Sequence, residues 1–426
     1  MDTNNIIGKI KLYLIDFIRG TSILKTLNKL RKQQYLSPGE LATISRLKLE
    51  KLFQLAKTST DFYAQFNSYN EIPVLTKPTV IKYFPDFISR LYKKKLIKKT
   101  TGGSTAEPFN YYTTKESQSW LWAGIFLSWE TAGYRLGDKV TFIAGSSLVK
   151  TDWKHKIFYF LLNVKFLYST IFTDDFLKEY TQKIRQNKSA IIYGYPNAIN
   201  IIAGYLNSQP LKMYFPHLKA IVCTSELLTG AVRENIEKAF NVKVYNQYGC
   251  NEAGVSAYEC EYQHLHMISS RAFYEVDEKS TLISTDLTNE GFIMMKFNTG
   301  DIIEFSEEQC LCQRSFPVIQ NIVGRLGDVM IDMDNNVFHR SFFAMDLIND
   351  SSINQYQVSF TNDSFELNIH GDISQKDKYE EKYLSVYRKH AKFKNYQIKI
   401  NEPFILSKNG KLKDVLDKRE MGTINP

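Results

Sequence analysis

No run of this chain reaches the roughly 18 to 20 apolar residues that a membrane-spanning helix needs. The nearest, 157–164, is short, contains Asn163 and is closed by Lys165. The start, Met1-Asp2-Thr3-Asn4-Asn5, lacks the basic segment and cleavage site of a secretory leader. Cysteine is scarce and odd in number, five in 426 residues, which argues against a disulfide framework and for free thiols or metal ligation. These absences predict a cytoplasmic protein, at most peripheral to the inner face of a membrane. Neither sign of charge dominates: 54 Lys and Arg face 45 Asp and Glu, a formal net charge of +9. The basic residues are spread along the chain and no nucleic-acid-binding motif accompanies them, so nucleic acid is not an expected partner. An excess of lysine suits an anionic small molecule such as a nucleotide equally well. Internal repeats and low-complexity segments are also missing.

What is present is core. Hydrophobic residues make up 43% of the chain and aromatics 14%, which excludes disorder. The length accommodates about two to three domains. Residues 1–70 read as a helical leader, with Leu49, Leu52, Phe53 and Ala56 forming a buried stripe at i, i+3, i+4, i+7. Within it, Ile7, Ile10, Leu14, Phe17 and Ile18 recur near helical spacing among lysines. Such a segment either packs on the domain that follows or lies on an anionic membrane surface. A long apolar helix is expected over 115–134. Strands expected at 140–145, 190–196, 218–226 and 242–249 alternate with helices through Leu206 and over 231–240. Alternation of this kind predicts an α/β sheet with its site at the strand ends. From about 265 the pattern turns to hairpins, with Asn289-Glu290-Gly291 and Asp334-Asn335-Asn336 as turns, and the last hundred residues read as a small α+β unit.

The chain is organised around Thr100-Thr101-Gly102-Gly103-Ser104-Thr105-Ala106-Glu107-Pro108, which follows a lysine-rich run at 93–99. Paired glycines let successive N–H groups converge on an anion, and the hydroxyls add donors. The Gly-Lys-Ser/Thr order of a Walker loop is absent. Downstream lie Tyr248-Gly249-Cys250-Asn251-Glu252, Asn298-Thr299-Gly300-Asp301, Gly324-Arg325-Leu326-Gly327-Asp328 and Ser407-Lys408-Asn409-Gly410-Lys411. Each is common alone. In this order and spacing they resemble the adenylate-forming enzymes, in particular the phenylacetate–coenzyme A ligase family and its relatives of capsular polysaccharide biosynthesis.

The resemblance implies a large N-terminal α/β domain with mixed and parallel sheets, residues 1–324, and a small mobile C-terminal α+β domain, residues 325–426. It implies ATP-dependent conversion of a carboxylic acid to an acyl-adenylate, then acyl transfer to coenzyme A or to an amine. Thr101, Gly102, Gly103, Ser104 and Thr105 would hold the phosphates. Glu252 would be the Mg²⁺ carboxylate. Tyr248 and Gly249 would pack on adenine, with Ser225 and Glu226 on an adenine-side loop. Asp301 suits the ribose diol, Arg325 the ribose or the α-phosphate, and Lys411 would bridge the acid and the α-phosphate. The acyl pocket is expected at Tyr193, Gly194, Tyr195 and Cys223, with no obvious cationic anchor. Departures from the family pattern are Ala106-Glu107 at the end of the glycine loop, Asn251, and Gly327 at the hinge. The first of these motivates an alternative, a binding protein that keeps the fold without turnover; a polysaccharide-assembly protein held peripherally to the membrane is another.

Cys260 and His266, five residues between them, and Cys310-Leu311-Cys312 some 44 residues on make a tetrahedral zinc set of three thiolates and one imidazole. His264 is the alternative imidazole. Members of the same family often carry a comparable set, and a structural zinc is therefore expected.

Overall fold

The computed structural model describes residues 3–101, 109–144, 153–168, 174–278, 280–325, 329–334, 336–339, 347, 350, 352–406 and 412–421. Helices α1 (Thr3–Arg19), α2 (Ile23–Gln33), α3 (Pro38–Ser59) and α4 (Lys77–Lys82) come first. Ser37 and Glu40 close a capping box on α3, with Pro38 at its first position. A hairpin of β1 (Ile97–Thr100) and β2 (Asn110–Thr113) leads into α5 (Lys115–Thr131). Then follow β3 (Val140–Ala144), α6 (Trp153–Leu161), β4 (Val164–Tyr168), α7 (Asp174–Asn187), β5 (Ile191–Gly194), α8 (Pro196–Ser208), β6 (Ala220–Thr224), α9 (Gly230–Phe240) and β7 (Lys243–Cys250). Antiparallel strands β8 (Val255–Glu259), β9 (Leu265–Met267), β10 (Ala272–Val276), β11 (Thr281–Asp286), β12 (Phe297–Phe305) and β13 (Val318–Arg325) complete the large unit.

All but the first two strands join one sheet of eleven, ordered β10-β11-β12-β13-β9-β8-β7-β6-β5-β3-β4. Pairing is parallel from β4 to β7 and antiparallel from β7 onward. Every residue of β5 and β6 is buried, as strands covered on both faces must be. On one face lie α7, α8 and α9, through Leu177, Ile184, Ile199, Ile202 and Ile236. On the other lies α5 with Trp120, Phe126 and Trp129, backed by Leu24, Leu27 and Leu30 of α2. The leader is thus part of the core. Arg233 of α9 binds Glu259 of β8 through both guanidinium nitrogens, at 3.1 and 2.7 Å, pinning helix to sheet.

Gly194, at the end of β5, sits where a Cβ would lie 1.9 Å from the Ile143 carbonyl oxygen of β3. No rotamer relieves a backbone clash. Gly194→Ala is therefore expected to cost roughly 3 kcal/mol or more, read as a lowered urea midpoint.

The C-terminal unit has a hairpin of β14 (Val329–Ile331) and β15 (Val337–His339) and a sheet of β16 (Ile353–Phe360), β17 (Ser364–Gly371), β18 (Asn395–Ile400) and β19 (Val415–Asp417), in the order β18-β17-β16-β19. The helical stretch 376–390 buries Tyr379, Tyr383 and Tyr387, one every four residues, against Phe365 and Leu367. Among the described residues no helix is long and apolar enough to cross a membrane.

Candidate active site and metal centre

The parallel strands end at a cleft of about 190 Å³. Tyr193, Thr224, Ser225, Gln247, Tyr248, Gly249 and Asn251 line one side, and Gln118 and Trp122 of α5 the other. Strand alternation selects these side chains. Tyr193 points into the cleft and donates to Gln247 Oε1 at 2.7 Å, whereas Tyr195 and Cys223 are fully buried in the apolar cluster beneath α8 and α9. Burial pushes the Cys223 thiol and the Tyr193 phenol well up. Of the four residues expected in an acyl pocket, only Tyr193 is on the cleft wall; Gly194 is instead a close-packing position. Ser225 has φ +71, a left-handed conformation that costs a non-glycine residue about 1 kcal/mol or more.

Asp301 is brought to the same place by the curl of the antiparallel half. Tyr248 donates its hydroxyl proton to Asp301 Oδ2 at 2.6 Å. Asp301 also stands opposite Arg325 in the β12–β13 register. The Asn298-Thr299-Gly300-Asp301 segment lies within β12 at a bulge in its register with β11, and is braced from within. Asn298 Oδ1 accepts the Gly300 N–H at 2.7 Å, Thr299 Oγ1 accepts the Asp301 N–H at 3.1 Å, and Gly300 takes φ +78. Arg325 is the last residue of β13. Glu252 lies on the turn Asn251–Ala253, just past β7. It is 9% exposed and makes no salt bridge among the described residues, which suits a carboxylate whose partner is a cation.

The far end of the chain arrives here too. Glu226 accepts the Asn197 N–H at 3.2 Å and the Leu412 N–H at 3.1 Å. Leu406 and Leu412 pair as an isolated antiparallel bridge, and the Gln357 side-chain amide donates to the carbonyls of Ile405 and Lys413 at 2.8 and 2.9 Å. The described residues on either side of 407–411 are therefore held together, and Leu412 is tied to Glu226, the neighbour of Ser225. Lys411 itself, Gly102, Gly103, Ser104 and Thr105 lie outside the described residues, as do Leu326, Gly327 and Asp328. Of the five phosphate-binding candidates Thr101 is described: its N–H donates to the Phe109 carbonyl at 2.9 Å, next to the Thr100–Asn110 pair of β1 and β2.

Three basic side chains of the cleft wall were not among the expected site residues: Arg19 from α1, Lys99 from β1 and His155 from α6. An acid-binding pocket without an obvious cationic anchor was the expectation; Arg19 and Lys99 put two positively charged side chains on the cleft wall. Lys99 had a signal, its place in the basic run before the glycine loop. Arg19 and His155 had none.

The second constellation is compact. One ligand atom from each of Cys260, His266, Cys310 and Cys312 lies within 4.8 Å of every other, and all four residues are buried. Cys260 Sγ is 3.6 Å from Cys310 Sγ, and Cys312 Sγ is 3.2 Å from His266 Nε2. Ligands about 2.3 Å from a tetrahedral zinc ion stand roughly 3.7 Å apart, so the cage has the right size. His266 Nδ1 lies 3.1 Å from the Phe316 carbonyl oxygen, a contact that places the proton on Nδ1 and leaves Nε2 free to ligate. The N–H groups of Cys312 and Arg314 point at Cys310 Sγ and Cys312 Sγ, both at 3.5 Å. Burial moves the Cys260 thiol up to about 12 and His266 down to about 4. His264 is not part of this group.

No known protein-family profile matches the chain. The fold is that of 2-hydroxyisobutyryl–coenzyme A ligase, solved in its postadenylation state with 2-HIB-AMP (TM-score 0.69, 18% identity, 92% of each chain). The thioesterification state of that ligase, with 2-HIB-AMP and coenzyme A, gives a TM-score of 0.56 at 17% identity over 92% of this chain and 93% of that one. The class that this fold and cleft resemble is the adenylate-forming superfamily. In sequence the chain is similar to protein CapK of Staphylococcus aureus, 25% identical over 320 residues, 70% of this chain and 71% of that one. It is also similar to phenylacetate–coenzyme A ligase of Thermus thermophilus, 29% identical over 157 residues, 33% of this chain and 35% of that one.

Proposed function

We propose that this protein activates a carboxylic acid with ATP, forming an acyl-adenylate and pyrophosphate, and transfers the acyl group to coenzyme A or to an amine. One observation carries the reading. Ser225 and Tyr248 line one cleft, Asp301 accepts the Tyr248 hydroxyl proton, and Glu226, next to Ser225 in the chain, accepts the Leu412 backbone N–H. Adenylation asks for this kind of convergence, because holding the triphosphate and the acid oxygen in line is most of the catalysis.

In this reading Tyr248 and Gly249 cover the adenine, Asp301 takes the ribose hydroxyls, and Arg325 takes the ribose or the α-phosphate. The 101–105 segment holds phosphate oxygens. Glu252 would hold Mg²⁺, which when bound offsets the phosphate charge; such an ion takes few protein carboxylates and keeps water in its remaining positions. Lys411 reaches the acid and the α-phosphate together, and residues 325–426 move as a unit about the 324–328 hinge to admit the acceptor. The zinc set is structural: all four tetrahedral positions are filled by protein, so none is open for substrate.

Pyrophosphate exchange with a panel of carboxylic acids tests the reading. At least one acid is expected to support exchange, and Asp301→Ala to weaken ATP use by about tenfold or more, the usual cost of losing a charge-assisted pair. Exchange with no acid in the panel, from protein that still binds AMP, would support the fold-only alternative.

A further inference from the structure

The packing of α1 inverts the usual order of a surface helix. Its inward face is Gly8, Leu12 and Ile15, with Gly8 so close to the body that a Cβ would lie 2.2 Å from the Leu136 carbonyl. Its outward face carries Ile6, Ile10, Tyr13, Leu14, Phe17 and Ile18, from 43% to 85% exposed. At 100° per residue these fall in one stripe, and Lys9 and Lys11 fall on its two borders. The only acid of the helix, Asp16, is turned away and accepts hydrogen bonds from the N–H groups of Ile23 and Leu24 at 2.8 and 3.0 Å. Beside α1 lies α6, which exposes Trp153, Ile157 and Phe160 at i, i+4, i+7, with Lys156 among them. The two helices touch: the Arg19 guanidinium lies 4.1 Å over the Phe158 ring, and Lys11 Nζ donates to Asn163 at 2.8 Å.

We propose that α1 and α6 together dock this protein on an anionic lipid bilayer, with the apolar stripe in the headgroup layer and the bordering lysines on the phosphates. Aromatic and branched apolar side chains flanked by lysine stems are the composition of an interfacial helix. Charge selects the occupant. A second copy would bring two lysine-bordered faces of a chain with net charge +9 together, whereas an anionic surface supplies the opposite sign. The face also has a use. A groove of about 580 Å³, walled by Ile15, Ile18, Trp153 and Ile157, opens between the two helices and shares Arg19, Lys99 and His155 with the candidate active-site cleft. Docking seats the mouth of that groove on the lipid.

Vesicle flotation of the full chain tests the proposal. Vesicles containing phosphatidylglycerol are expected to carry the protein at low salt, with phosphatidylcholine alone at least about tenfold weaker. The double variant Ile10→Asp/Phe17→Asp is expected to lose about tenfold or more of the binding. Leu211→Asp, at a position 85% exposed elsewhere, should lose none. Unchanged melting of the double variant rules out misfolding as the cause. No flotation with either vesicle overturns the proposal, as does binding that survives the double variant. A dimer in solution that the double variant dissolves also overturns it, because a second copy then covers the face. Pyrophosphate exchange needs no vesicles, so this outcome and the activity reading stand or fall separately.

Discussion

Replacing Lys411 by alanine is expected to slow acyl-adenylate formation by about 10²- to 10³-fold, the usual cost of removing one donor to a developing charge. AMP affinity should change little, because a lysine that bridges acid and α-phosphate acts on the transition state more than on the bound nucleotide. The hydrogen bond from Leu412 N–H to Glu226, beside Ser225, motivates the choice. A companion variant probes the hold on the residues either side of 407–411. Gln357 holds the carbonyls of Ile405 and Lys413, so Gln357→Ala loosens both ends at once. It should slow the same half-reaction by about tenfold without changing AMP affinity, the signature of a positioning residue. Single-turnover measurement of acyl-adenylate decides the matter. Full-speed adenylation in Lys411→Ala removes this lysine from the chemistry.

Protein purified without chelator is expected to carry about one equivalent of zinc, and Cys310→Ser to lose it. Loss should be costly because the cage is buried: without metal, three thiols and a neutral imidazole share an apolar pocket with Val318. Structural zinc in small peptides is worth about 10 to 16 kcal/mol. Even a modest part of that, several kcal/mol, lowers the melting temperature of a large domain by roughly 10 °C. The sign with pH follows from proton competition. Thiolates bind metal and thiols do not, so zinc should be retained at neutral pH and released as the medium is acidified. The ligands join the loop after β8, strand β9 and the segment before β13, so melting should begin in the antiparallel half of the sheet. Less than about half an equivalent of zinc in fully folded protein would overturn the assignment.

The sequence by itself determined the local order. Short, near-continuous apolar runs ended by glycine or polar residues specified β3, β5 and β6, because parallel strands buried on both faces leave such a record. The stripe Leu49, Leu52, Phe53 and Ala56 was equally legible, because it recurs at helical spacing and is buried in the structure. The Cys and His spacing marked the four side chains that the fold brings within 4.8 Å of one another. Tertiary structure decided what those elements face. Tyr193 and Cys223 sit on neighbouring parallel strands, yet one reaches the cleft and the other the core, a consequence of register and alternation that no spacing rule reveals. Only the curl of the sheet set Tyr248 on Asp301, 53 positions away along the chain. The basic side chains of the cleft wall came from α1, β1 and α6, and the apolar stripe of α1 turned outward because Gly8 and Leu12 had already seated its other face. Local patterning reports which residues want burial, while only packing reports which face is already covered.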